Sequence, residues 1–230
     1  MRLSLVMPVY NEGATLPTVL RALGGVQMTI PWELIIVDDG STDGAVEQVE
    51  RHWLKNADRV RVVRGRRNQG KGAALRKGFA LADGDILGVQ DADLEYDPNE
   101  IPKVIAPILS GDAQISFGSR QFGSHASYSF WYVVGNRALS LCASALFDRY
   151  VTDAYTCYKF FTHDCYEHLT LTGDGFEIEA ELTAGLLRTE APLFEVPITY
   201  RARSREEGKK IQVRDGMLGL SRLVRVRLAV

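Results

Sequence analysis

Ile86-Leu87-Gly88-Val89-Gln90-Asp91-Ala92-Asp93 is the stretch on which the fold turns. Its first five residues form an apolar run that reads as a buried strand. The run delivers two carboxylates into a turn closed by Asp97-Pro98. Successive strand side chains point to opposite faces. Asp91 and Asp93 therefore share a side while the chain stays extended, and both can face one cation. A plain polar exit from a strand has the same residues, so the pair alone leaves both readings open.

Three upstream segments repeat the pattern. Leu3 to Val9 reads as a strand running into Tyr10-Asn11-Glu12-Gly13, then a helix over Ala14 to Leu23 with Leu16, Val19, Leu20 and Leu23 at helical spacing. Pro17 falls in its first turn, where proline is tolerated. Trp32 to Val37 is a second strand, ending in Asp38-Asp39-Gly40-Ser41-Thr42-Asp43, with a helix from Gly44 to Leu54 that Ser41 or Thr42 would cap. Val60 to Val63 is a third, followed by Asn68-Gln69-Gly70-Lys71-Gly72 and a helix over Ala73 to Ala82. Strand–loop–helix alternation predicts an α/β fold, a mostly parallel central sheet flanked by helices. Ligands of such sheets bind beyond the carboxyl ends of the strands. That rule gathers the loops at Pro8–Glu12, 38–43, 68–72 and 91–97 at one edge.

Each loop carries candidate chemistry. Tyr10 stacks on a base or packs on a neighbouring loop. Glu12 meets a ligand or serves a helix N-terminus, which favours negative charge anyway. Of Asp38 and Asp39, one faces the ligand edge and the other orients the loop. Gly70 and Gly72 allow close backbone approach to phosphate, and Lys71 adds charge. The spacing is not that of a P-loop. No GxGxxG follows the first strand, which argues against a dinucleotide-dependent oxidoreductase.

Composition bounds the rest. The 230 residues carry 27 basic and 29 acidic side chains, net −2, as in an ordinary globular protein. No basic field argues for nucleic acid. Cys142, Cys157 and Cys165 form no CxxC pair, and an odd count suits a reducing, cytoplasmic setting. The apolar part of the N-terminus is too short for a signal sequence. No stretch reaches the apolar length needed to span a bilayer.

Taken together, Met7-Pro8-Val9-Tyr10-Asn11-Glu12, Val37 to Asp43, Asn68 to Gly72 and Asp91-Ala92-Asp93 resemble the inverting family-two glycosyltransferases of the GT-A fold. Within them the chain is most similar to the dolichyl- and polyprenyl-phosphate hexosyltransferases. Further matches are Phe117-Gly118-Ser119-Arg120, Thr152 to Lys159, Gly175 to Glu179 and Glu195 to Tyr200, so the likeness covers nearly the whole chain.

The resemblance implies one catalytic domain over 1–230: a nucleotide-binding half (1–115), an acceptor-side half (116–212) and an amphipathic C-terminal helix (213–230). It implies a nucleotide-sugar donor of the GDP-mannose or UDP-glucose type, with Pro8, Tyr10, Glu12 and Asp39 around base and ribose. Gly70, Lys71, Asp91, Ala92 and Lys209 would complete the donor site. Asp93 would bind Mg²⁺ or Mn²⁺ at the diphosphate. Asp91 and Glu95 are the other candidate ligands, Glu95 standing where the synthases often have glutamine. Arg120, Arg203, Lys209 and Lys210 are the cations expected to meet developing phosphate charge. Arg203 lies in Tyr200 to Lys210, which resembles a loop that closes over the donor; a solvated basic loop has the same composition.

The implied acceptor is polyprenyl phosphate. It is already an anion and needs no general base. A hydroxyl acceptor (saccharide, lipid or small molecule) would need one, and Asp153, Glu177 and Glu179 are the carboxylates in view. On a helix over Phe176 to Leu187, Glu177 and Glu181 share a face and Glu179 does not. A catalytically silent nucleotide-sugar-binding protein is the reading outside enzymes, and the intact Asp91/Asp93 pair speaks against it.

Two segments bear on a membrane. Tyr128 to Phe147 is aromatic and apolar, suited to the headgroup layer, to core packing or to a homodimer contact. Met217 to Val230 mixes Leu and Val with Arg222, Arg225 and Arg227, as a helix on an anionic bilayer would. Both suit peripheral contact at the cytoplasmic face.

Overall fold

The computed structural model describes residues 1–52, 59–121, 130–202 and 213–228. Seven strands form one sheet: β1 (Leu3–Val9), β2 (Trp32–Asp38), β3 (Val60–Arg64), β4 (Ile86–Val89), β5 (Ile115–Ser119), β6 (Lys159–Thr162) and β7 (Leu193–Pro197). Their order is β3-β2-β1-β4-β6-β5-β7. β1 pairs in parallel with β2 and β4, as do β2 with β3 and β5 with β7. β6 runs antiparallel to both its neighbours, β4 and β5. The α/β, mostly parallel architecture is as predicted.

Alternation along the strands sorts the core into two layers. Leu3, Leu5 and Met7 of β1 and Leu34 and Ile36 of β2 face one side. There they meet α1 (Leu16–Gly25), α2 (Ala45–His52) and α4 (Ile101–Leu109) through Leu16, Val19, Val46, Val49, Ile101 and Val104. Val6, Ile35 and Val37 face the other side. Their partners are Leu75 and Phe79 of α3 (Lys71–Phe79), Cys165 of α6 (His163–Glu167) and Ile178, Leu182 and Leu186 of α7 (Ile178–Arg188). A third cluster joins α7 to α5 (Phe130–Phe147) and α8 (Val213–Leu228) through Ala143, Ala180, Ala184, Leu187 and Leu223.

Local differences from the sequence reading have local causes. Pro17 does sit in the first turn of α1. The amide of Ala45, at the start of α2, donates instead to Asp43 Oδ1 (3.1 Å), because the Ser41 hydroxyl accepts from the Asn11 amide (3.0 Å). α3 begins two residues earlier than predicted, directly after Gly70, whose φ of +103° turns the chain into it. Tyr128 to Phe147 yields one helix, α5, within the described residues.

Candidate active site

β1 is flanked by β2 on one side and β4 on the other, so the strand order reverses there. Open α/β sheets hold ligands in the crevice beyond the strand ends at such a reversal. A cleft of about 190 Å³ lies at this place. Four loops line it: Pro8, Tyr10 and Glu12 after β1, Asp39 after β2, Asn68, Gly70 and Lys71 after β3, and Asp91, Ala92, Asp93 and Glu95 after β4. Cys157 and Phe176 close it from the second half of the chain.

The two aspartates after β2 differ in role. Asp38 Oδ1 accepts from the Ser41 amide (2.9 Å) and shapes the turn. Asp39, only 3% exposed, accepts with Oδ2 from the amides of Gln69 (2.9 Å) and Gly70 (2.6 Å). Its Oδ1 is buried without a hydrogen-bond partner. A buried carboxylate oxygen left so is costly unless a ligand completes it.

Lys71 does not point at an open phosphate site. Its ammonium lies 2.8 Å from Asp91 Oδ1 and 3.0 Å from Glu179 Oε1, and 3.1 Å from Cys157 Sγ. Glu179 in turn accepts from Lys159, whose side chain is fully buried, at 2.7 Å. Two cations and two carboxylates thus form a buried chain ending at Asp91. Burial alone would raise the Glu179 pKa, but Lys159 and Lys71 bring it down to about 2. Burial, with Asp91 and Glu179 nearby, pushes the Cys157 thiol up, so it stays protonated.

Asp93 and Glu95 bracket Leu94, which adopts φ +63°. The Glu95 amide donates to Asp93 Oδ1 (3.1 Å), and the Tyr200 hydroxyl donates to Glu95 Oε2 (2.9 Å). Burial and the Glu95 carboxylate push the Tyr200 phenol well above its ordinary range, so it remains a donor. Among the described residues no group of three His, Cys, Asp or Glu forms a closed metal cage. Mg²⁺ is usually held by one or two carboxylates together with substrate phosphates. Asp93 and Glu95, hard oxygen donors on one wall of the cleft, fit that mode; Asp91, on the same wall, pairs with Lys71.

Arg120 and Asp153 do not line the cleft. They form a two-pronged pair, Nε to Oδ2 and Nη2 to Oδ1, both 2.7 Å. Asn136 and the Arg120 amide also donate to Asp153 (2.8 and 3.0 Å). Burial would raise the Asp153 pKa, but Arg120 outweighs it and holds the carboxyl low. That geometry suits an orienting partner of Arg120 better than a proton acceptor. The Arg120 guanidinium stands 5.0 Å from the centre of the Tyr200 ring. Glu177 and Glu181 do share a face and both approach Arg222 of α8, at 3.9 and 3.4 Å. Glu181 also anchors the amides of Thr172 and Gly173. Arg203, Lys209 and Lys210 lie outside the described residues.

Sequence reasoning missed Lys159 as a site-supporting group and Phe176 as a wall of the cleft. It also missed Tyr200 as the partner of Glu95. Each comes from a distant element; the stretches Thr152 to Lys159, Gly175 to Glu179 and Glu195 to Tyr200 carry the family resemblance, but nothing in them marks these three side chains as parts of the site.

The model of the family described as "Glycosyl transferase family 2" matches residues 4–168, and the chain belongs to that family. It is 29% identical over 214 residues to the dolichol-phosphate mannosyltransferase of Pyrococcus furiosus, covering 91% of this chain and 59% of that protein. It is 31% identical over 123 residues to the dodecaprenyl-phosphate galacturonate synthase of Rhizobium johnstonii, covering 53% of this chain and 36% of that one. The chain thus spans at most about three-fifths of these relatives. Among solved structures, glucosyl-3-phosphoglycerate synthase from Mycobacterium tuberculosis superposes with a TM-score of 0.70 at 23% identity, covering 98% of this chain and 79% of that one. The fold is therefore GT-A.

Proposed function

We propose that this chain transfers a hexose, with inversion, from a nucleotide-sugar donor to a polyprenyl phosphate. The buried, unpartnered Asp39 Oδ1 on the wall of the cleft carries the donor reading. A base N–H or ribose hydroxyl would complete it, with Tyr10 and Glu12 beside the nucleoside. The curated relatives, named for dolichol-phosphate and dodecaprenyl-phosphate products, support the acceptor class.

The chemistry assigns work to particular groups. An acceptor phosphate oxygen attacks the anomeric carbon, and the bond from that carbon to the diphosphate oxygen breaks. The nucleoside diphosphate leaves with the electron pair. A divalent cation, Mg²⁺ or Mn²⁺, bound by Asp93 and Glu95 would neutralise charge on the leaving diphosphate. Arg120, aimed by Asp153, would receive the acceptor phosphate. Lys71, 2.8 Å from Asp91 Oδ1, would hold that carboxylate in place beside the sugar of the donor. Arg203 and Lys209 would add positive charge over the diphosphate.

No helix among the described residues is long and apolar enough to cross a membrane. α5 exposes Phe130, Trp131 and Leu141, and α8 exposes Met217 and Leu228, each about two-thirds or more. We read this apolar surface as peripheral contact at the cytoplasmic face, where a lipid-linked acceptor is reached.

The test is a panel of GDP-mannose, UDP-glucose and UDP-GlcNAc against a short polyprenyl phosphate, with Mn²⁺ or with chelator. Formation of a polyprenyl-phosphate hexose from one donor supports the reading. Transfer to hydroxyl acceptors alone would sink the acceptor assignment.

A further inference from the structure

Tyr200 lies three residues beyond the end of β7 and is 7% exposed. It bridges antiparallel to Tyr96, and the next amide, Arg201 N, donates to the Glu95 carbonyl (3.0 Å). The Tyr200 ring lies 5.2 Å from the ring of Tyr96, which stacks on Tyr158, also at 5.2 Å. Tyr96 is pinned by the Cys157 amide, which donates to its hydroxyl (3.0 Å). Tyr200 is thus fixed by backbone and by ring packing before its hydroxyl reaches Glu95 Oε2.

Among the described residues Glu95 is held at three points: amide to Asp93, carbonyl from Arg201 and carboxylate from Tyr200. A glutamate on an irregular turn has three rotatable side-chain bonds and strong hydration. To serve a cation it must be presented in one rotamer. Carboxylates that ligate metals are commonly aimed by such outer partners, and losing one typically weakens metal binding about 10–100-fold. We infer that Tyr200 is a positioning residue for the divalent-cation site, aiming Glu95 alongside Asp93 while its ring supports Arg120. This rests on the cation reading of Asp93 and Glu95 given above. It ties the donor-side carboxylates to the arginine proposed for the acceptor through one side chain.

The experiment uses the full chain, with Mn²⁺ and either GDP or UDP as probes. Nucleotide affinity is measured by calorimetry with and without Mn²⁺, and bound Mn²⁺ by electron paramagnetic resonance. The variants are Tyr200→Phe, Glu95→Ala and the two combined. Tyr200→Phe keeps the ring and removes one hydroxyl. It is expected to weaken Mn²⁺-supported nucleotide binding about tenfold, with Mn²⁺-free binding unchanged. Because Tyr200 acts through Glu95, the double variant is expected to bind no more weakly than Glu95→Ala. Wild-type-like Mn²⁺ affinity in Tyr200→Phe, or losses that add in the double variant, overturns the inference and leaves the cation site standing. A wild type whose nucleotide binding ignores Mn²⁺ removes the cation site and this inference together.

Discussion

Lys71 and Asp91 stand 2.8 Å apart in a setting that leaves each side chain only 10% exposed. A lysine that looks in sequence like a phosphate ligand is, in the fold, the counter-ion of a cleft carboxylate. Removing it leaves Asp91 a buried anion without that counter-ion, while Glu179 keeps Lys159. Breaking a buried pair from one side costs about 3–5 kcal/mol. Lys71→Met should therefore lower the denaturant midpoint markedly. Adding Asp91→Asn should recover part of the loss, since it neutralises the carboxylate that Lys71 paired with while Glu179 keeps Lys159.

The same network sets an acid limit. The Glu179 pKa is depressed to about 2 from an ordinary 4.5. A depressed carboxylate contributes stability that is fully present above its unfolded pKa and is lost as pH falls through the folded one. Stability should thus decline from about pH 4.5 towards 2. Glu179→Gln should flatten that decline in a pH series of unfolding curves. An unchanged slope would contradict the pairing.

Asp93→Ala should abolish any stabilisation that Mn²⁺ lends to a bound nucleoside diphosphate. A ligand at a hundredfold its dissociation constant adds about 2.7 kcal/mol to a folded protein. For a chain of this size that shifts the melting temperature by roughly 5–10 °C. A chelator should erase the shift in the wild type, and Asp93→Ala should show none with Mn²⁺ present.

Arg120→Lys should test the two-pronged contact with Asp153. Lysine keeps the charge but cannot match both carboxylate oxygens at once. Activity should fall more than stability, read as kcat/KM against the melting temperature. Arg120→Ala should cost more of both, because Asp153 is fully buried and would lose its counter-ion.

Gly72 offers a purely steric test. A Cβ there would run into the carbonyl of Gly173, and the Gly72 amide donates to the Asp174 carbonyl (2.7 Å). Gly72→Ala should destabilise by about 1–3 kcal/mol and weaken nucleotide binding by displacing the Gly70–Lys71 turn. Circular dichroism melts and a nucleotide titration would show it.

What was legible in the sequence follows the range of the forces involved. β1 to β4 and the helices between them declare themselves through local periodicity and apolar runs. Their loops meet at the strand ends, so Asp39, Asp91, Asp93 and Glu95 were found together. β6 has four residues, Lys159–Thr162, and exists because β4 and β5 pair with it; no local pattern marks it. The Lys71–Glu179 contact joins residues more than a hundred positions apart, and the glycine-rich loop suggested phosphate binding instead. The hydroxyl cap expected at Ser41 or Thr42 failed for a similar reason: a distant partner, Asn11, claims both of those residues.

The reversed strand β6 carries one more consequence. It lies between β4 and β5, so the strand that delivers the cleft aspartates is zipped on its far side to residues 160–162. A fragment ending near residue 115 would contain the loops that follow β1 to β4 yet leave β4 a bare, apolar edge. Such edges recruit other chains. Through β6, the first 115 residues share one sheet with the rest of the chain. Gene fusions, split reporters or domain swaps that cut between them should yield aggregates rather than modules.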